Sequence, residues 1–110
     1  MSIAVYILYK GQNGSAKKFA KEMIDSGTVQ KIREEEGNLG YDYYIPFEKD
    51  SEFILLVDKW ENQAAIDAHH ASPMMNTIIE LRDKYNLTME VERFISDTGI
   101  PETDEKFIRK

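Results

Sequence analysis

The sequence predicts an α+β fold of order β-α-β-β-α-β, with one antiparallel four-stranded sheet and its helices on one face. Three observations predict it. The apolar period switches between 2 and 3.6 along the chain in that order. Helix punctuation falls where the period changes: Gly37 closes one helical stretch, while Asn62 and Ser72-Pro73 open others. The run F-I-L-L-V from Phe53 is apolar on alternate and intervening positions alike, as in a strand covered on both faces.

Each element has a local reason. Ile3 to Tyr9 is rich in β-branched and aromatic residues and reads as the first strand. G-Q-N-G ends it, and Ser15 is the expected cap of a helix carrying Phe19, Met23 and Ile24. Ser26-Gly27 interrupts that helix, but Val29 and Ile32 resume its spacing up to Gly37. The run Glu34-Glu35-Glu36 reads as a solvated helix end. Leu39, Tyr41, Tyr43 and Ile45 alternate on one face of a second strand, which Pro46 ends, and E-K-D-S turns the chain. Phe53 to Trp60 is the third strand. Asn62 caps a short helix through His70. Ser72 and Pro73 restart a helix bearing Met74, Ile78, Leu81 and Tyr85. Leu87 to Ile95 is the last strand. The domain spans 1–96, and 97–110 is a polar tail whose Phe107 and Ile108 suggest docking.

This is the ferredoxin-like, split βαβ arrangement. Two helical layers cover one sheet face only, yet the strands are apolar on both. A second copy packed sheet to sheet is the simplest cover, so a homodimer is expected.

Composition narrows the function. A formal charge of −6 disfavours nucleic acid and anionic membranes as partners. No apolar run approaches the ~20 residues of a membrane span. The N-terminus reads as a strand and not as a signal peptide, so a cytoplasmic protein is expected. With no Cys there is no thiolate chemistry and no Cys-based metal site. Adjacent His69 and His70 do not make an i, i+4 pair, so no metal is expected.

The ordered set Arg33, Glu35, Gly37, Leu39, Tyr41, then Asp58 and Trp60, then Ala65, His69, Ser72 and Pro73 resembles the antibiotic biosynthesis monooxygenase family of dimeric α+β barrels, which includes small quinol monooxygenases. The likeness covers roughly residues 3–95. The family usually has Glu where Asp58 stands, and often a second His where this chain has Met74. The resemblance implies a cofactor-independent monooxygenase that oxidises a small quinol or phenol with dioxygen. Two other readings remain open: a small-metabolite isomerase on the same scaffold, and a non-catalytic ligand-binding or stress-associated domain. Haem degradation ranks below these.

Asp58 and Trp60 share strand parity and face one side. Asp58 is expected either to orient His69 or to pair with Arg33, Lys59 or Arg93. His69 is a general base near neutral pH or a capping histidine at a helix end. Trp60, Tyr41 and Tyr43, with Tyr6 and Phe94, either wall a flat aromatic pocket or fill a dimer core. The catalytic candidates are His69 and Asp58. The substrate-binding candidates are Trp60, Tyr41 and Tyr43. No cofactor is expected.

Overall fold

The computed structural model describes residues 1–48 and 51–110. Strands β1 (Ile3–Lys10), β2 (Asn38–Tyr44), β3 (Phe53–Trp60) and β4 (Thr88–Ile95) form one sheet in the order β2-β3-β1-β4, every pairing antiparallel. Helices α1 (Ser15–Asp25), α2 (Thr28–Arg33), α3 (Gln63–His70) and α4 (Met74–Lys84) connect and cover it, and a short α5 (Glu102–Glu105) lies in the tail. The predicted α+β class and its ferredoxin-like order are both found. The expected turn over 48–51 falls partly on residues 49 and 50, outside the described residues.

Register sorts the strands into an inner and an outer face. Ile3, Ile7 and Tyr9 of β1 are buried, as are Ile54, Leu56, Asp58 and Trp60 of β3 and Tyr41 of β2. Phe19 and Met23 of α1, Val29 and Ile32 of α2, Ile66 of α3 and Ile78 and Leu81 of α4 close over this inner face. Asp58 sits in the middle of it, opposite Val5 on one side and Tyr41 on the other.

The outer face is bare and carries an apolar patch flanked by Glu90 and Glu92 of β4. Tyr6, Tyr44, Phe53 and Phe94 are exposed there, while Leu8 and Leu55 are half-buried. Three hollows of about 200–300 Å3 run across it, each touching Leu8. All eight residues of β4 are exposed. Among the described residues, no helix is long and apolar enough to cross a membrane.

Several local expectations need correction. The first helical stretch is two helices, because Gly27 takes a positive φ of 81° between them and serves as the cap of α2. Beyond α2 the chain turns over 34–37 and ends at Gly37, φ 85°. A Cβ on Gly37 would stand 2.6 Å from Ala65 Cβ, so both backbone conformation and close packing against α3 demand glycine.

Ser15 does not cap α1. Gly14 does, and Ser15 Oγ instead accepts a hydrogen bond from Gln12 N at 3.0 Å. Asn62 caps α3 as expected, its Oδ1 accepting from Ala65 N at 2.9 Å. The helix does break across Ala71–Pro73, but Ser72 makes no cap bond, and its Oγ is buried without a partner. A β-bulge between Asn38 and Gly40 turns Leu39 out to solvent, so Leu39 does not share the inner face of Tyr41 and Tyr43. Phe107 and Ile108 are both exposed, so the tail does not dock on its own chain.

Candidate functional site

His69 occupies the last turn of α3, only 5% exposed. Its imidazole lies over the Trp60 indole, with centroids 4.8 Å apart and planes 30° apart. Its Nδ1 is 2.7 Å from Glu35 Oε2. A carboxylate only accepts, so Nδ1 carries the proton and the lone pair of the neutral ring sits on Nε2. Burial lowers the His69 pKa below its usual 6.5, and Glu35 opposes that fall. His69 is therefore a neutral, oriented imidazole at pH 7, with Nε2 as its proton-accepting atom.

Asp58 is 7% exposed and rises from β3 among aromatic groups. Burial pushes its pKa from an ordinary 3.8 up to about 7, the nearby indole N–H of Trp60 pulls it down, the charge of Glu35 raises it and that of Arg82 lowers it. Asp58 Oδ1 and Trp60 Nε1 nevertheless complete no hydrogen bond of standard geometry, and both are buried without a partner. Asp58 bonds neither His69 nor the cations expected for it. Glu35 holds His69. Arg33 Nη2 reaches Tyr41 O at 2.8 Å and Asp42 at 3.0 Å, and Arg93 reaches Gln63. Lys59 has the opposite strand parity and is exposed.

Tyr41 and Tyr43 project inward from β2, their rings edge to face at 5.9 Å. Burial raises the pKa of both phenols; their hydroxyls lie near one another, but that of Tyr43 completes no hydrogen bond of standard geometry. Tyr9 of β1 joins them. It is fully buried, and Arg82 of α4 donates to its hydroxyl from Nε at 3.1 Å and Nη2 at 2.9 Å. Tyr6 and Phe94 do not belong to this set. They pair edge to face at 4.8 Å on the outer face of the sheet.

The inner face thus gathers His69, Asp58, Trp60, Tyr41 and Tyr43, as the sequence suggested, and adds Glu35, Tyr9 and Arg82. Glu35 looked like part of a solvated acidic run. Its signal was the spacing Val29, Ile32, Glu35, which sets an acid at the next position of a buried helical stripe. Arg82 likewise lies four residues after buried Ile78. None of the hollows already described reaches His69, Asp58 or Trp60, and neither does a fourth of about 290 Å3 bordered by Gly37, Glu61 and Ala65.

The sequence profile of the antibiotic biosynthesis monooxygenase family matches residues 2–81, most of the chain. The protein belongs to that family. Among curated protein sequences none matches. Solved structures resemble it throughout. A cofactor-independent oxygenase, SnoaB of Streptomyces nogalater, superposes with a TM-score of 0.72 at 14% identity, covering 92% of this chain and 98% of its own. A conserved protein from Methanosarcina mazei Go1 gives 0.73 at 17% identity, covering 88% of this chain and 94% of its own. A Deinococcus radiodurans protein named for the same family gives 0.71 at 20%, covering 92% and 97%. At these identities the likeness is one of fold.

Proposed function

We propose that this family member is a homodimeric, cofactor-independent monooxygenase that oxidises a small quinol or phenol with dioxygen. One observation carries the reading. An oriented neutral imidazole stacks on the inner sheet face, where Asp58 Oδ1, Trp60 Nε1 and the Tyr43 hydroxyl are three buried polar atoms that complete no hydrogen bond of standard geometry among the described residues. Folding alone gains nothing from such groups, each of which costs roughly 1–3 kcal/mol to leave unpaired. A polar aromatic ligand would satisfy them.

In this reading His69 Nε2 takes a phenolic proton, and Glu35 stabilises the imidazolium that forms. The resulting anion is electron-rich enough to reduce dioxygen itself. For a quinol the balance is quinol plus dioxygen giving hydroxyquinone plus water, with all four electrons drawn from the substrate. Asp58, whose pKa burial raises toward neutrality, is the group that returns a proton to the departing oxygen. Trp60, Tyr41 and Tyr43 wall the ring of the substrate. Because these groups are buried, substrate entry requires the α3–α4 segment to give way.

The dimer rests on the bare outer face, whose exposed Tyr6, Tyr44, Phe53 and Phe94 need a cover. A second chemical reading, a proton-shuttling isomerase, draws on the same pairing of an acid near neutrality with a neutral imidazole. Incubation with a quinol panel under air and under nitrogen, followed by product mass, separates the two. The monooxygenase reading expects oxygen-dependent addition of one oxygen atom, abolished in His69→Ala while the circular dichroism is retained. Oxygen-independent isomerisation, or undiminished turnover by His69→Ala, overturns it.

A further inference from the structure

We infer that residues 106–110 of one copy dock on the β4 margin of the outer sheet face of a second copy. The inference rests on the homodimer proposed above and adds a contact that sheet-to-sheet packing does not supply. It is independent of the chemistry at His69.

The segment 106–110 reads K-F-I-R-K: two apolar side chains between three cations, with no acid. It follows α5 in a hydrogen-bonded turn, Phe107 N donating to Asp104 O and Ile108 N to Glu105 O, each at 3.0 Å. Phe107 is 79% exposed and Ile108 42%, so their own chain covers neither. The ammonium of Lys106 lies over the ring of its neighbour Phe107, 5.2 Å from the centroid.

The receiving surface has the complementary layout. Across the sheet, Leu55 and Leu8 line up with Glu90, while Val57 and Tyr6 line up with Glu92. Each of these rows is apolar on β3 and β1 and ends in a carboxylate on β4. A hollow of about 300 Å3 lies here, with Tyr6, Leu8 and Leu55 along it and Glu90 and Glu92 at its edge. Neither carboxylate is in an ion pair among the described residues. Asp42, the acid of the opposite margin, is already held by Arg33 at 3.0 Å. The cations of the face itself stand in other rows: Lys10 with its ammonium over the Phe53 ring, and Lys59 beside Ala4.

Packing two such sheets together buries Tyr6, Leu8 and Leu55, but it also draws Glu90 and Glu92 toward a drying interface. A carboxylate taken out of water without a partner is costly. The K-F-I-R-K segment answers both needs. Phe107 and Ile108 fit the apolar floor, and Lys106, Arg109 and Lys110 meet the two carboxylates at its edge. The single chain leaves segment and margin both uncovered, which points to a second copy and not to its own sheet. Two-fold symmetry makes the contact reciprocal, each copy giving one segment and receiving one.

The test exchanges the charges. Glu90→Lys with Glu92→Lys makes the margin basic, and Arg109→Glu with Lys110→Glu makes the segment acidic. All four side chains are exposed, so both variants should fold, as circular dichroism checks. In sedimentation equilibrium at about 0.1 M salt, each variant alone should dimerise roughly tenfold or more weakly than the wild type, because like charges meet. The loss should shrink at about 1 M salt, where the charges are screened. An equimolar mixture of the two variants should recover association as a heterodimer, since opposite charges then meet at both contacts. Recovery only with all four changes in one chain, and none in the mixture, would put the segment on its own sheet and overturn the inference. Weakening by the margin variant alone would assign the carboxylates another partner and overturn it too. Unchanged association of both variants also overturns it and leaves the homodimer standing. A wild type that sediments only as a monomer overturns the inference and the homodimer together.

Discussion

Asp58→Asn should make the protein more stable at neutral and alkaline pH. The native pKa of Asp58 stands at about 7, against 3.8 for an ordinary aspartate. The native state therefore holds a proton that the unfolded chain releases near pH 4. Between about pH 4 and pH 7 the native state binds more protons, so stability falls as pH rises. Above pH 7 the cost is complete. At ~1.4 kcal/mol for each tenfold change in proton affinity, the rise amounts to ~4 kcal/mol. Asparagine has nearly the shape of the protonated acid and no charge to bury. It should exceed the wild type by roughly 1–2 kcal/mol near pH 5 and by roughly 4 kcal/mol near pH 8.5, a gap that widens with pH.

His69 works in the opposite sense. Its native pKa lies below 6.5, so its contribution is present above that value and is lost as pH falls. The difference between wild type and Asp58→Asn cancels this term, because His69 is present in both. Urea unfolding midpoints at about pH 5 and about pH 8.5 give the measurement, the slopes checking that the same surface is exposed. Midpoint curves for the two proteins that run parallel across this range would refute the reasoning. Asp58 would then be ionised in the native state and satisfied by something other than the groups beside it.

Other outcomes follow from the same contacts. Asn62→Ala should cost about 1 kcal/mol in thermal or urea unfolding, since a 2.9 Å cap bond is lost. Ser72→Ala should cost nothing measurable or stabilise slightly, because the hydroxyl removed is buried and unpaired. Leu56→Lys should abolish folding by burying a charge in the helix-covered core, as seen by circular dichroism. Leu55→Lys, on the outer face, should leave the chain folded but shift sedimentation from dimer to monomer. A folded Leu56→Lys protein would mean that the two faces have been exchanged.

The fold was legible because period and punctuation agreed. Strand β3 was readable over Phe53–Trp60 with its boundaries intact, and its parity put Asp58 and Trp60 on one face before any contact was known. Capping chemistry was less reliable. Asn62 capped as read, but Ser15 and Ser72 did not, because a cap needs the residue just outside the helix: Ser15 is the first residue of α1, and Ser72 stands two residues before Met74, the first of α4. The bulge at Leu39 was invisible, since strict alternation in the sequence does not reveal an inserted residue. Glu35 and Arg82 were missed for a common reason. Charged residues on exposed-looking helix ends read as solvated unless the buried stripe is extended one more step.

That step also explains why the site is built from these particular elements. Glu35 follows a helix, His69 ends one, and Arg82 lies on a third, while Tyr9, Asp58 and Trp60 come from the sheet beneath. The helices supply the charges and the strands supply the aromatic floor. If the inner face served packing alone, the position between Val5 and Tyr41 would be filled by Val or Leu, as Leu56 fills the next inward position. Instead an acid stands there at a cost of several kcal/mol, and on the same face an indole N–H and a phenol likewise complete no hydrogen bond of standard geometry. Unpaired groups scattered through a core would suggest poor packing. Their convergence beside a histidine whose tautomer is already fixed is what a site prepared for a polar ligand requires, and it is the reason that Asp58→Asn should gain stability while losing function.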